Sequence, residues 1–199
     1  MLKMIIPDKL ILPVIFIVLA GFMSHSCNNK NNNTSPKPKG YHRIDLPEKN
    51  YIRYDGECPY HFDYPEYAIV MKGEDPNPCW LNLHFPLQKA TIYFTYKPVD
   101  NDLKTLTEDT REMVYKHTVK ASAINETMYE NDSANVYSVL YELKGNVASW
   151  VQFYMTDSTD HFVRGSLYFN AKPNKDSIAP VLKFIKKDIT HLIETTSWN

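Results

Sequence analysis

Apolar positions in this chain first run together, then vanish, then return in two distinct periods. Leu10 to Met23 is an apolar run of 14 residues behind Lys3 and Lys9 and ahead of the polar step Ser24-His25-Ser26-Cys27. A helix needs roughly 20 residues to cross a hydrocarbon core, so a run this short, kinked further by Pro13, reads as an export signal. Asn28 to Lys39 then contains no apolar residue at all and cannot bury enough surface to offset the entropy of ordering. It reads as a tether, with Pro36-Lys37-Pro38-Lys39 extended at about 3.1 Å per residue.

Aromatic and aliphatic residues return at Tyr41. Tyr51–Tyr54, Tyr60–Tyr64 and Tyr67–Met71 are short and rich in aromatic or β-branched residues, which predicts strands. Gly73–Pro78 predicts a turn. After it Trp80–Phe85 and Ala90–Lys97 predict a hairpin, with Ile92, Phe94 and Tyr96 on one side and Thr91, Tyr93 and Thr95 on the other. The period then changes. Leu103, Leu106, Thr110, Met113, Val114 and His117 form a helical stripe that starts from Asp102 or Asn101 as N-cap. Ile124–Tyr129, Val136–Leu143, Ala148–Thr156 and Phe162–Asn170 follow as strands. Gly145-Asn146 and Asp157–Asp160 are the tight links, which predicts an antiparallel meander. A closing helix from Ser177 to about Thr195, capped by Asp176, carries Ile178, Val181, Leu182, Ile185, Ile189, Leu192 and Ile193 on one face. The sum is an α+β domain in which two helices pack on an antiparallel sheet of about six to eight strands. Three segments result: a signal over residues 1–26, a tether over 27–40 and one globular domain over 41–199.

Charge narrows the partners. The net charge of -1 hides fifteen basic against twenty acidic residues over 51–199. An acidic body argues against nucleic acid, and no second apolar run approaches membrane-spanning length. Cys27 follows Ser24 and Ser26 as the acylated cysteine follows small residues in a bacterial lipobox, although His25 departs from the pattern; ordinary cleavage and a retained anchor are the alternatives. Lipidation at Cys27 would hold the body at a membrane, each buried methylene adding about 0.8 kcal/mol. Cys58 and Cys79 remain as an even pair in an oxidising compartment. A disulfide is the default reading and two buried thiols the alternative.

The sequence offers little chemistry. It contains no nucleophile elbow, zinc helix motif, phosphate loop or dinucleotide fingerprint, so no catalytic residue, metal or cofactor is assigned. His61 and His84 fall in neighbouring predicted strands and could meet, with half-buried structural roles as the simpler reading. Asp157, Asp160 and His161 share one loop, where turn chemistry accounts for them. Ser133, Ser158 and Ser177 each follow an Asp in a short pattern resembling an O-glycosylation motif, and each also falls in a turn or cap. Tyrosine is the compositional oddity, 14 of 199 residues. Tyr41, Tyr51, Tyr54, Tyr60, Tyr64 and Tyr67 crowd the start of the body, where they suit either a protein interface or the half-buried faces of a sheet.

Longer blocks carry a resemblance. Residues 36–47, PKPKGYHRIDLP, resemble the gliding-motility lipoprotein GldD family of Bacteroidetes. So do Asp75–Asn82, Tyr115–Thr118, Val151–Phe153, Thr156–Ser158 and Arg164–Ser177. The resemblance implies a lipid-anchored envelope protein that faces the periplasm. Its implied role is as a non-enzymatic subunit needed for gliding motility and type IX secretion, with other Gld lipoproteins as partners. It carries over no catalytic or ligand residue. An envelope hydrolase or a small-ligand-binding lipoprotein is the competing reading. A deep pocket with buried His, Asp or Glu would favour the competitor, and a flat aromatic patch the subunit. The order of strands and helices is also similar to the Mog1/PsbP-like fold, by fold analogy alone.

Overall fold

In a computed structural model that describes residues 46–73, 77–171 and 174–199, the alternating runs pair into two antiparallel sheets. The leader, Cys27, the tether and Tyr41 lie outside the described residues. A three-stranded sheet has the order β1 (Tyr51–Tyr54), β2 (Tyr60–Pro65) and β10 (Ser197–Trp198). The larger sheet has seven strands, running β3 (Ile69–Lys72), β4 (Leu81–Phe85), β5 (Ala90–Pro98), β9 (His161–Phe169), β8 (Ser149–Thr156), β7 (Val136–Gly145) and β6 (Ala121–Asn131). Helix α1 (Leu103–Tyr115) separates β5 from β6, and helix α2 (Lys175–Thr195) follows β9. The predicted meander is β6 to β9, each strand paired antiparallel with the next, and β9 returns to pair with β5.

Alternation decides which face is which. Along β4 and β5, Leu81, Leu83, Phe85, Ala90, Ile92 and Phe94 are all buried and point to an inner face. There they meet Phe153 and Met155 of β8, Val163 and Leu167 of β9, Tyr60 and Phe62 of β2, and Ile185, Ile189 and Leu192 of α2. Phe62 stacks on Phe94 with ring centroids 5.5 Å apart, which fixes the small sheet to the large one. Burial of each such side chain stabilises the fold by about 1.5–3 kcal/mol. Gly165 faces the Phe153 ring across the β8–β9 ladder, where an added Cβ would overlap that ring. The opposite, outer face receives α1, whose Val114 packs with Tyr141, Leu143, Val147 and Trp150. Layering is therefore α1, then the large sheet, then α2 with the small sheet.

Several elements differ from their sequence expectation. Strand β3 begins at Ile69 rather than Tyr67, because Glu66 and Tyr67 form a turn closed by the Ala68 N–H on the Pro65 carbonyl, 2.9 Å. Strand β6 runs eleven residues, well past the predicted 124–129, since pairing with β7 recruits polar positions that have no apolar alternation. In α1, Leu106, Thr110 and Val114 are buried, Met113 is exposed, and His117 lies beyond the helix in a 3-10 turn. Helix α2 starts at Lys175, and its N-cap is Asn174, not Asp176. The Asn174 side chain accepts from the backbone N–H groups of Asp176 and Ser177 at 3.2 and 3.3 Å. Pro180 falls in the second turn of the helix, and the Asp176 carbonyl loses its helical donor. Gly145 takes φ 120, the left-handed backbone that its tight link to β8 requires.

Candidate functional site

The first cluster of polar side chains sits on α2. Asp188 is buried in the apolar stripe, one turn from Ile185 and beside Ile189. Lys49 Nζ lies 2.5 Å from its Oδ1, the Tyr51 hydroxyl donates to the same oxygen at 2.9 Å, and the Tyr67 hydroxyl donates to Oδ2 at 2.6 Å. Lys49 also donates to the Phe184 carbonyl at 3.1 Å and stands 3.6 Å from the centre of the Phe184 ring. Burial first, and then the hydrogen bond to Asp188, pushes the Tyr51 and Tyr67 phenols above their ordinary range, so both remain neutral donors. The Asp188 carboxylate thus takes three side-chain donors, two on Oδ1 and one on Oδ2. The cluster ties the segment ahead of β1, β1 itself and the β2–β3 turn to α2. Asp188 drew no notice as a sequence position; the one available signal was an acid interrupting a helical apolar stripe.

The same contacts relocate the aromatic interface set. Tyr60 is fully buried and donates to the Cys79 carbonyl at 2.7 Å. Tyr54 stacks on Phe62 at 5.1 Å and places its hydroxyl 3.7 Å from Cys58 Sγ, while Tyr64 meets Phe62 edge-on. Cys58 and Cys79 form a disulfide, Cα atoms 5.3 Å apart, in the same seam. The described tyrosines of the set therefore face inward, between the two sheets or onto α2. The physical reason is that apolar area in this small domain is consumed by its own two-sheet core.

The histidine and loop candidates resolve into local roles. His84 Nδ1 lies 3.0 Å from the Thr91 hydroxyl, whereas His61 faces Asn199 at 2.6 Å and Asp55 at 3.2 Å, so the two have separate partners. Asp157 Oδ1 accepts from the backbone N–H groups of Thr159, Asp160 and His161 at 2.8–3.0 Å. Burial pushes the Asp157 carboxyl up, but these backbone donors outweigh it and hold the group below the ordinary carboxylate range. His161 is met by the Tyr96 hydroxyl at 3.0 Å and by the stacked Trp198 ring. Ser133, Ser158 and Ser177 are all exposed. Among the described residues no group of three or more His, Cys, Asp or Glu could hold a metal ion.

The outer face of the large sheet is where side chains remain open. Two cross-strand rows define it: Ile69–His84–Thr91–Tyr168, and Met71–Asn82–Tyr93–Ser166–Gln152. The row between them, Val70–Leu83–Ile92–Leu167, points to the core. Helix α1 covers the β8–β9 side of the outer face. The β3–β5 side is left open, with Ile69 at 52%, Tyr93 at 48%, Met71 at 42% and Tyr168 at 37% exposure. Tyr93 and Tyr168 pair edge-to-face at 5.7 Å. Where the open side meets α1 there is a cleft of about 240 Å³, lined by Trp80, Thr95, Leu106, Met113, Phe162 and Arg164, with Lys97 and Asp109 exposed at its rim.

These features define an α+β domain in which two helices and a second small sheet pack on a seven-stranded antiparallel sheet, leaving β6 and the β3–β5 side of the outer face exposed. No described helix is long and apolar enough to cross a membrane. The chain belongs to the gliding motility lipoprotein GldD family, whose model matches residues 31–198. Among solved structures the chain is similar to cyanobacterial PsbP (CyanoP) from Synechocystis sp. PCC 6803. That likeness has 13% identity and a TM-score of 0.49, covering 77% of this chain and 95% of that one. No curated protein matches the chain.

Proposed function

We propose that this protein is a non-enzymatic envelope subunit of the gliding machinery and its associated type IX secretion. In this reading the signal over 1–26 is removed, Cys27 is acylated and residues 27–40 tether the domain on the periplasmic side. The domain then acts by binding other gliding-motility lipoproteins. One observation carries the reading: on the outer face at the β3–β5 end of the large sheet, Ile69 and Met71 on one side of His84 and Asn82, and the Tyr93–Tyr168 pair on the other, are exposed and uncovered by any described helix. Exposed apolar and aromatic side chains grouped on one open face mark protein interaction sites, and tyrosine is enriched at them. The Asp188 and disulfide clusters are closed on themselves and read as structural.

Crosslinking and pull-down from envelopes test it, comparing the wild type with the pair Tyr93→Ala, Tyr168→Ala and with Tyr51→Ala, Tyr64→Ala. Loss of a specific captured Gld lipoprotein in the first pair alone is the expected result. Unchanged capture with a folded Tyr93/Tyr168 variant rejects the patch. Cys27→Ala should release the protein from the membrane fraction, and sedimentation unchanged from wild type would remove the anchor.

A further inference from the structure

Arg164 stands in the middle strand of the outer face, where its cross-strand partners are Thr95 on β5 and Tyr154 on β8. Its Nη2 donates to Gln152 Oε1 at 2.8 Å. Among the described residues no carboxylate pairs with it. Arg164 Nε has no hydrogen-bond partner, nor do the two polar groups in the neighbouring row, Gln152 Nε2 and Ser166 Oγ. Gln152 is completely buried and Ser166 nearly so. Desolvation depresses the guanidinium's proton affinity, and its uncompensated field adds to burial in lowering the His117 pKa.

An unpaired charge and unbonded amide and hydroxyl groups at the centre of a sheet face are costly. Each unsatisfied polar group loses the hydrogen bonds it made to water, and an apolar trio would pack there without that loss. Of these three side chains Arg164 lines a cavity, forming one wall of the 240 Å³ cleft whose other walls are largely Trp80, Leu106, Met113 and Phe162. We propose that this cleft binds a small monocarboxylate, its carboxylate on the Arg164 guanidinium that Gln152 holds in place and its apolar arm between Trp80, Met113 and Phe162. Charge selects one negative charge over two, because a single cation lies inside while Lys97 and Asp109 offset each other at the rim. Size selects a fragment, since drug-sized ligands fill pockets of about 300–1,000 Å³. Guanidinium selects a planar, forked acceptor.

The test uses the full-length ¹⁵N-labelled protein and the side-chain Nε–H resonances of its arginines, with Arg164 assigned by its loss in Arg164→Lys. Phenylacetate, octanoate and acetate are titrated to about 20 mM, beside phenylacetamide as the uncharged match and phenyl phosphate as the dianion. Phenylacetate or octanoate should shift the Arg164 resonance saturably. Phenylacetamide and phenyl phosphate should bind roughly tenfold more weakly, and Arg164→Gln should weaken the acid about tenfold without affecting the amide. Tyr93→Ala should leave acid binding unchanged, which separates this site from the docking patch. If none of the acids shifts Arg164, or if amide and acid bind alike, the seam is only hydrated and the proposal fails. The acid-against-amide comparison on wild type decides the matter even if Arg164→Gln does not fold.

Discussion

Asp188 shows how much one side chain can organise. Three groups that lie 121 to 139 residues away in sequence converge on a single carboxylate. Asp188→Ala would strand the Lys49 ammonium and two phenols, all half-buried, and should cost about 3–5 kcal/mol in urea unfolding. Tyr67→Phe, which leaves the ion pair intact, should cost only about 1 kcal/mol. Asp157 offers the corresponding pH signature. Its folded-state carboxyl titrates below the unfolded one, so its contribution is present above the unfolded carboxylate range and lost as pH falls through the depressed folded value. The stability gap between wild type and Asp157→Asn should therefore be steady at neutral pH and close on acidification below the ordinary carboxylate range, as followed by thermal melts at stepped pH. Asp157 was legible as turn chemistry because its donors are two to four residues away. Asp188 was not, because periodicity reports which face a residue occupies and nothing about partners brought in by long-range folding.

At the scale of elements, the start of α2 moves the N-cap from Asp176, where the sequence pattern puts it, to Asn174. Asn174 and Asp176 are both good N-caps, and only backbone geometry picks Asn174, extended at φ -145 with its side chain over two free N–H groups. Asn174→Ala should cost about 1 kcal/mol, whereas Asp176→Ala should cost a few tenths through the helix dipole. Circular dichroism melts of the two variants check the order. The helix itself was legible from a repeat of three and four, as was the meander from alternation and turn residues. Strand β10 was not, since two residues carry no period, and neither was the full length of β6, whose largely exposed positions show no apolar alternation. Tyr93 was already readable as off the core side of β5, opposite in phase to Ile92 and Phe94. That its neighbours across the sheet are Asn82 and Ser166 depends on strand order, which local pattern does not encode.

For the whole molecule, the α+β class and the helix-on-sheet packing followed from the order of periods along the chain. The division of the strands into two sheets did not. It rests on β2 leaving the large sheet to pair with the last residues of the chain, and on the seam of aromatic rings and the Cys58–Cys79 bond between the sheets. Opening that loop, with 21 residues of separation, should cost about 3 kcal/mol on the chain-entropy account. A Cys58→Ser, Cys79→Ser variant measured by denaturant midpoint against oxidised wild type gives the value, and both should keep the same fold. The first tyrosine block left two readings open because composition records that rings are present and not which way they turn.

The Lys49–Asp188 latch has a mechanical consequence. Any tension entering this domain through the chain ahead of β1 reaches the charged pair before it reaches the short β1–β2 ladder, and the pair passes the strain to α2. A fold pulled from that end should yield as a clamp that lets go abruptly, not as a strand peeled away bond by bond.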